Sequence, residues 1–247
     1  MHELSNDAVV NPVKGKKTSA LGPVAVMVSN HRDLSDFCNV TDLVQASSQD
    51  LMMSRLHAAN PDNAFGISAV GPMIGAPYAA MVMETLIVRG VSKIIYFGWC
   101  GSLSPHVRIG DIVVPTGAWI DEGLSGHYQA DTHQPAVPSR NMIESTLTAL
   151  RCHGVDWHEG SIWSTDAVFR ETREKVAHFQ SKSAIGVEME ISALCSVANF
   201  RGVEFGAVCV VSDELATMNW RPGFGDRRFK QSRKIVCEVI QSLCQTL

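Results

Sequence analysis

No apolar run in this chain approaches the roughly 18 residues of a membrane span, and Met1 to Val10 has no signal-peptide pattern. A membrane partner and an export route are therefore not expected. The seven cysteines are odd in number, scattered, and never in a Cys-x-x-Cys pair, so neither a disulfide framework nor a zinc ribbon is suggested. Among the nine histidines there is no His-Glu-x-x-His and no paired spacing suited to zinc. Excess positive charge is also missing. The formal net charge is -4, which gives no electrostatic case for nucleic acid or an anionic surface. There is no internal repeat. The expected protein has no metal and no cofactor, and the expected setting is a reduced cytoplasm.

What is present fits one folded unit. A chain of 247 residues, 45% hydrophobic and 19% charged, can bury a sizeable core. Residues 1–20 are polar, with Lys14, Lys16 and Lys17, and read as a solvated leader to a domain spanning residues 21–247. Val24 to Val28 reads as the first strand, followed by a polar turn, Ser29-Asn30-His31-Arg32-Asp33. Residues 49–59, carrying Leu51, Met52, Arg55 and Leu56, read as a helix or an irregular connection. Ala64 to Val70 is the next strand, and Pro77 suits the first turn of the helix after it. Ile94 to Gly98 reads as a buried strand leading into a turn, Gly98-Trp99-Cys100-Gly101, whose glycines let backbone approach a ligand.

Further strands are expected at Asp111–Val114 and Ala118–Ile120, then a loop from Asp121 to Arg140 in which His127 is a candidate ligand contact. A helix over Asn141–Cys152, a strand over Gly160–Thr165 and a helix over Glu171–Phe179 follow. Ile191 to Arg201 reads as a helix closed by Gly202. Val203 to Val211 is apolar and β-branched enough for a strand buried on both faces. Met218 to Asp226 reads as loop and Phe229 to Leu243 as a closing amphipathic helix. Alternating strands and helices predict an α/β fold: a single domain whose mixed, mostly parallel central sheet is flanked by helices.

Two carboxylates then stand at chosen points. Glu190 opens a helix, and Asp213 stands just past the carboxyl end of a central strand, where open α/β sheets bind ligands. Taken alone, Glu190 reads as a helix-dipole partner, Met189 as core, Asp213 as an N-cap, and Cys100 as packing rather than a nucleophile.

Three blocks change that balance. Gly186-Val187-Glu188-Met189-Glu190 with Ser212-Asp213, the run Gly98-Trp99-Cys100-Gly101 to Val114, and Ile74-Gly75-Ala76-Pro77 resemble the purine nucleoside and uridine phosphorylases and their nucleosidase relatives. The blocks keep that family's order over more than half the chain. The resemblance implies cleavage of the N-glycosidic bond of a nucleoside. Glu190 would accept both ribose hydroxyls, Met189 would pack on the sugar, and Asp213 would protonate a purine as it leaves. Cys100, Gly101, Val168, Phe169, Val187, Glu188 and Ser212 would surround the base. A homo-oligomer is implied as well.

The family's phosphate cradle is not matched. Where its pattern asks for cations and a small hydroxyl, this chain has Ser29-Asn30-His31-Arg32-Asp33, Tyr96 and Trp99. The candidates left for an anion are Arg32, Arg55, Gly75 and Trp99, with Arg55 entering from a neighbouring subunit as family oligomers allow. The expectation is therefore purine nucleoside cleavage with a degenerate phosphate site. The alternatives are hydrolysis and a non-catalytic nucleoside-binding protein.

Overall fold

The fold is described by a computed structural model covering residues 8–16, 18–58, 66–128 and 131–247. Two long strands are its axis: β5 (Lys93–Ser102) and β9 (Glu204–Glu214). They run parallel and paired along their length, with an irregularity between Cys100 and Gly101. Both are apolar on both faces because helices cover both sides. On β9, Phe205, Ala207, Cys209 and Val211 enter one core, and Val208 and Val210 the other. Each such fully buried large side chain stabilises by about 1.5–3 kcal/mol.

Around this axis the chain builds β1 (Val24–Val28), β2 (Ser47–Leu51), β3 (Ser54–Ala58), β4 (Ile67–Gly71), β6 (Ile112–Asp121), β7 (His158–Thr165), β8 (Ala184–Glu188) and β10 (Arg221–Pro222). The sheet order is β10-β9-β6-β7-β8-β5-β1-β4-β3-β2, and the added β9–β5 pairing closes five of these strands into a ring. Five pairings are parallel, β1–β4, β1–β5, β5–β9, β6–β7 and β7–β8. Five are antiparallel, β2–β3, β3–β4, β5–β8, β6–β9 and β9–β10. The sheet is mixed, as expected, with the parallel runs β6-β7-β8 and β5-β1-β4 meeting at the antiparallel β8–β5 pair.

Helices α1 (His31–Val40), α3 (Arg140–Cys152) and α6 (Arg227–Cys244) share one layer, where Phe37, Met142 and Val236 pack together. Helices α2 (Ala76–Ile87) and α5 (Ile191–Arg201) form the other, through Val82, Leu86, Leu194 and Val197. A smaller cluster packs α4 (Arg173–Ser181) through Val176 and Phe179 onto Trp163.

Several expectations are corrected. The polar turn after β1 is the start of α1, because Asn30 caps it by accepting from the Arg32 amide at 2.9 Å. Residues 47–58 are the β2–β3 hairpin rather than a helix or irregular connection. Gly98-Trp99-Cys100-Gly101 is strand, since β5 runs on to Ser102. The two strands expected after Asp111 are one, β6, with its irregularity between Pro115 and Gly117. The loop after β6 is tied down where it is described. A short 3-10 helix spans Ser125–His127, and Glu122 accepts from Leu124 N at 2.5 Å and from Ser192 Oγ at 2.9 Å. Part of the strand expected from Ala64 lies outside the described residues.

Candidate functional site

The carboxyl ends of β5, β8 and β9 open onto one cavity of about 580 Å³. At its floor is the junction from β8 into α5. Glu190 is the N-cap position of α5, but its side chain makes no cap bond and turns into the cavity wall instead. Its Oε1 accepts from the Gly75 amide at 2.5 Å and its Oε2 from the Tyr96 hydroxyl at 2.8 Å. A carboxylate oxygen has two acceptor sites, so each oxygen keeps one for a ligand. Burial pushes Glu190 above the usual carboxylate range, and the bonds from Gly75 and Tyr96 pull the other way.

Glu188 supports this junction from beneath. Its Oε2 accepts from the amides of Glu190 at 2.6 Å and Ile191 at 2.8 Å, and its Oε1 from Ser164 Oγ. It thereby satisfies amides of the first turn of α5 that have no partner within the helix. Burial first, then the neighbouring Glu190 charge, raise its pKa. Expected at the base, Glu188 has its oxygens engaged by internal donors.

Tyr96 reaches Glu190 because Gly98, two positions along the same strand face, leaves room for its ring. A Cβ at Gly98 would sit 2.5 Å from Tyr96 Cε1. Trp99 points to the opposite layer. Its Nε1 donates to Asp33 Oδ2 at 2.7 Å, while Arg233 Nε donates to Asp33 Oδ1 at 2.7 Å. The Arg233 guanidinium also lies over the Trp99 ring, 4.8 Å from its centroid. Asp33 and Arg233 are buried, 1% and 5% exposed, so this is an internal ion pair rather than a docking cation. Burial raises the Asp33 pKa, against Arg233 and Trp99.

Asp213 lies within the last residues of β9, paired with Gly101 and Pro222, rather than just past the strand. Ser212 Oγ donates to its Oδ1 at 2.6 Å and Trp220 Nε1 to its Oδ2 at 2.9 Å. A Cβ at Gly101 would meet Leu215 Cδ1 at 2.5 Å and Asp213 Oδ2 at 3.1 Å, which accounts for glycine there.

Of the residues expected at the site, Cys100, Gly101, Val168, Phe169, Val187, Glu188, Met189, Glu190, Ser212, Asp213 and Trp99 all line the cavity. Phe169 lines the cavity at 97% exposure, and among the described residues no aromatic ring stacks on it. The anion candidates do not assemble. Arg32 is exposed on α1 and does not line the cavity. Arg55 sits on the hairpin, paired with Asp50 at 2.6 Å. The Gly75 amide is used by Glu190. His127 is also away from the cavity. Among the described residues, the lining contains no Lys, Arg or His, and no three potential ligands gather as a metal site. Other residues were not foreseen. Glu171, Met73 and Leu215 also line the cavity, Trp220 and Phe224 cover Asp213 and Trp99, and Arg233 anchors Asp33.

A sheet of this order, with carboxylates gathered where β5, β8 and β9 end, has the fold of the nucleoside phosphorylases and nucleosidases. Purine nucleoside phosphorylase from Toxoplasma gondii, solved with immucillin-H, superposes with a TM-score of 0.77 at 19% identity over 91% of this chain and 90% of its own. Uridine phosphorylase from Vibrio fischeri gives 0.76 at 19% identity over 94% and 100%. AMP nucleosidase from Bacteroides thetaiotaomicron gives 0.69 at 20% identity over 90% of each chain. A guanosine phosphorylase of Halorubrum lacusprofundi is 29% identical over 201 residues, 81% of each chain. The phosphorylase superfamily model matches residues 24–247. The chain belongs to the phosphorylase superfamily and is an enzyme of the nucleoside phosphorylase type. No helix among the described residues is long and apolar enough to cross a membrane.

Proposed function

We propose that this enzyme cleaves the N-glycosidic bond of a purine nucleoside and that phosphate is a poor acceptor, water taking its place. One observation carries the reading: among the described residues the cavity offers carboxylates and no cation, and the position facing Asp33 is filled by Trp99. A dianion would forfeit charge-assisted bonds of about 1.5–3 kcal/mol each and would meet four carboxylates instead. The name of the Halorubrum relative supports a purine nucleoside as substrate.

In this reading Glu190 accepts the two ribose hydroxyls through the acceptor positions that Gly75 and Tyr96 leave open, and Met189 packs on the sugar. As the C1′–N bond breaks, its electron pair goes to the base, and Asp213 delivers a proton to the base nitrogen. The carboxylates at the floor stabilise the positive charge that develops on the sugar. A water oxygen then bonds to C1′ and releases a proton to solvent, giving free sugar and free base. Cys100, Gly101, Val168, Phe169, Val187 and Ser212 enclose the base. The apolar mouth at Ile74, Phe169 and Trp220, respectively 74%, 97% and 62% exposed, supports a homo-oligomer that covers it. The seven free cysteines support a cytoplasmic setting.

The test is to incubate the protein with a panel of purine and pyrimidine nucleosides, with and without phosphate, and follow base release. Purine release that does not need phosphate is expected. Release of no base from any nucleoside would leave a binding protein on this fold.

A further inference from the structure

The first cavity holds carboxylates and, among the described residues, no cation; a second cavity gathers cations. It measures about 490 Å³, lies between the end of β6 and α4, and shares no lining residue with the first. Glu174, His178 and the C-cap Lys182 recur every four residues, so one face of α4 forms its wall. One charge pair there is settled within the protein. Lys175 Nζ donates to Asp121 Oδ2 at 2.7 Å, and Trp163 Nε1 donates to the same oxygen at 3.0 Å. Lys182 is not settled. Its ammonium lies 4.3 Å from the centroid of the Trp119 ring and 5.7 Å from that of Phe179, and among the described residues no carboxylate pairs with it. The ring faces attract the charge and hold it in place, but they give its N–H donors no oxygen to bond. The Nε1 of Trp119, in the same wall, is buried and also has no acceptor. Buried donors are normally partnered, so this wall has two donors that the protein leaves to something else.

We propose that the second cavity binds a phosphate group, free or carried by a small ester, with Lys182 as its main contact. A phosphate is tetrahedral and takes donors from several directions, and a lysine ammonium meets it as a compact point charge. The other donors suit that shape because they come from separate elements: His178 stands on α4 and His133 on the loop after β6. Each imidazole can present an N–H. A planar carboxylate is better matched by the parallel N–H groups of an arginine, and no arginine is in the lining. The volume exceeds that of the bare ion and leaves room for the rest of an ester. Glu174 opposes the ligand. Among the described residues it is the lining carboxylate that no cation offsets, so its charge sets an upper limit on affinity. None of this depends on what the first cavity binds.

Calorimetric titration of the full chain with inorganic phosphate and with ribose 5-phosphate tests the site without reference to turnover. The wild type is expected to bind at least one of the two, and the tighter one tells whether the ligand is the free ion or the ester. Lys182→Gln should weaken that binding about tenfold to a hundredfold, as expected for loss of a charge-assisted bond. Glu174→Gln removes the opposing charge from the same helix face and should tighten it about twofold to fivefold. Opposite shifts from two neutralising changes on one face are not what a general loss of folding produces. No binding of either probe by the wild type overturns the proposal. So does an unchanged affinity in Lys182→Gln, or a loss of binding in both variants alike.

Discussion

Tyr96 and Trp99 stand on one strand and face opposite layers, and the two corners they build differ in what their charge meets. At the proposed sugar corner, Tyr96 and the Gly75 amide each bond one oxygen of Glu190, which lines the cavity. At the proposed anion corner, Trp99 and Arg233 bond Asp33 from within, and neither Asp33 nor Arg233 lines the cavity, so that corner offers a ligand no charged group. Both carboxylates are almost entirely buried, at 5% and 1% exposure. Burial alone therefore does not separate the two charges; what separates them is that Glu190 lines the cavity and Asp33 does not.

The largest effect expected from breaking this arrangement is at the base. Asp213→Asn should slow cleavage of natural purine nucleosides by about 10²–10⁴, the range for loss of a general acid. It should cost far less for a nucleoside whose leaving group is already a stable anion. Equal losses on both, measured as initial rates, would make Asp213 a structural residue.

The anion corner answers in stability instead. Arg233→Met should destabilise by about 3–5 kcal/mol, because it strands a buried carboxylate. Replacing both partners, Asp33→Leu with Arg233→Met, should recover much of that loss in thermal or urea unfolding. A double variant no better than the single one would show that the pair is not the self-contained unit described here.

A smaller loss is expected at the sugar corner. Glu190→Gln should slow cleavage by about tenfold to a hundredfold through loss of charge-assisted bonds to the ribose, with binding of the free base nearly intact. Unchanged turnover on every substrate would remove Glu190 from the mechanism.

The smallest effect is a pH dependence. Glu171 is raised in the folded state from 4.5 to about 7. Between those values the folded protein holds more protons than the unfolded chain, so this group's contribution makes stability fall as pH rises through that window. The melting temperature of Glu171→Gln should therefore gain on the wild type between pH 5 and pH 8. A constant difference across that range would contradict the raised value.

How much of this was legible in the sequence depended on the range of the signal. β5 and β9 announced themselves as apolar runs, and α5 by its spacing and by Gly202, which takes a left-handed φ of 68°. The β2–β3 hairpin was missed because β2 is largely exposed and polar, while Leu51, Met52, Arg55 and Leu56 mimic a helical face. α1 was missed because its cap, Asn30, sits in a stretch that also reads as a turn. At the cavity, Glu190 and Asp213 were singled out through local wording, and both line it. Trp99 was recognised as an obstacle, but its partners were not. Asp33 and Arg233 lie 200 residues apart, a pairing that only the fold creates. Glu171 was read as the first residue of a helix, whereas α4 begins at Arg173 and leaves Glu171 free to enter the cavity.

The most direct test of the central claim is the identity of the sugar released while phosphate is raised to saturation. A closed anion corner predicts free ribose and a rate flat in phosphate. Ribose 1-phosphate, formed at a rate that rises and saturates with phosphate, would contradict it.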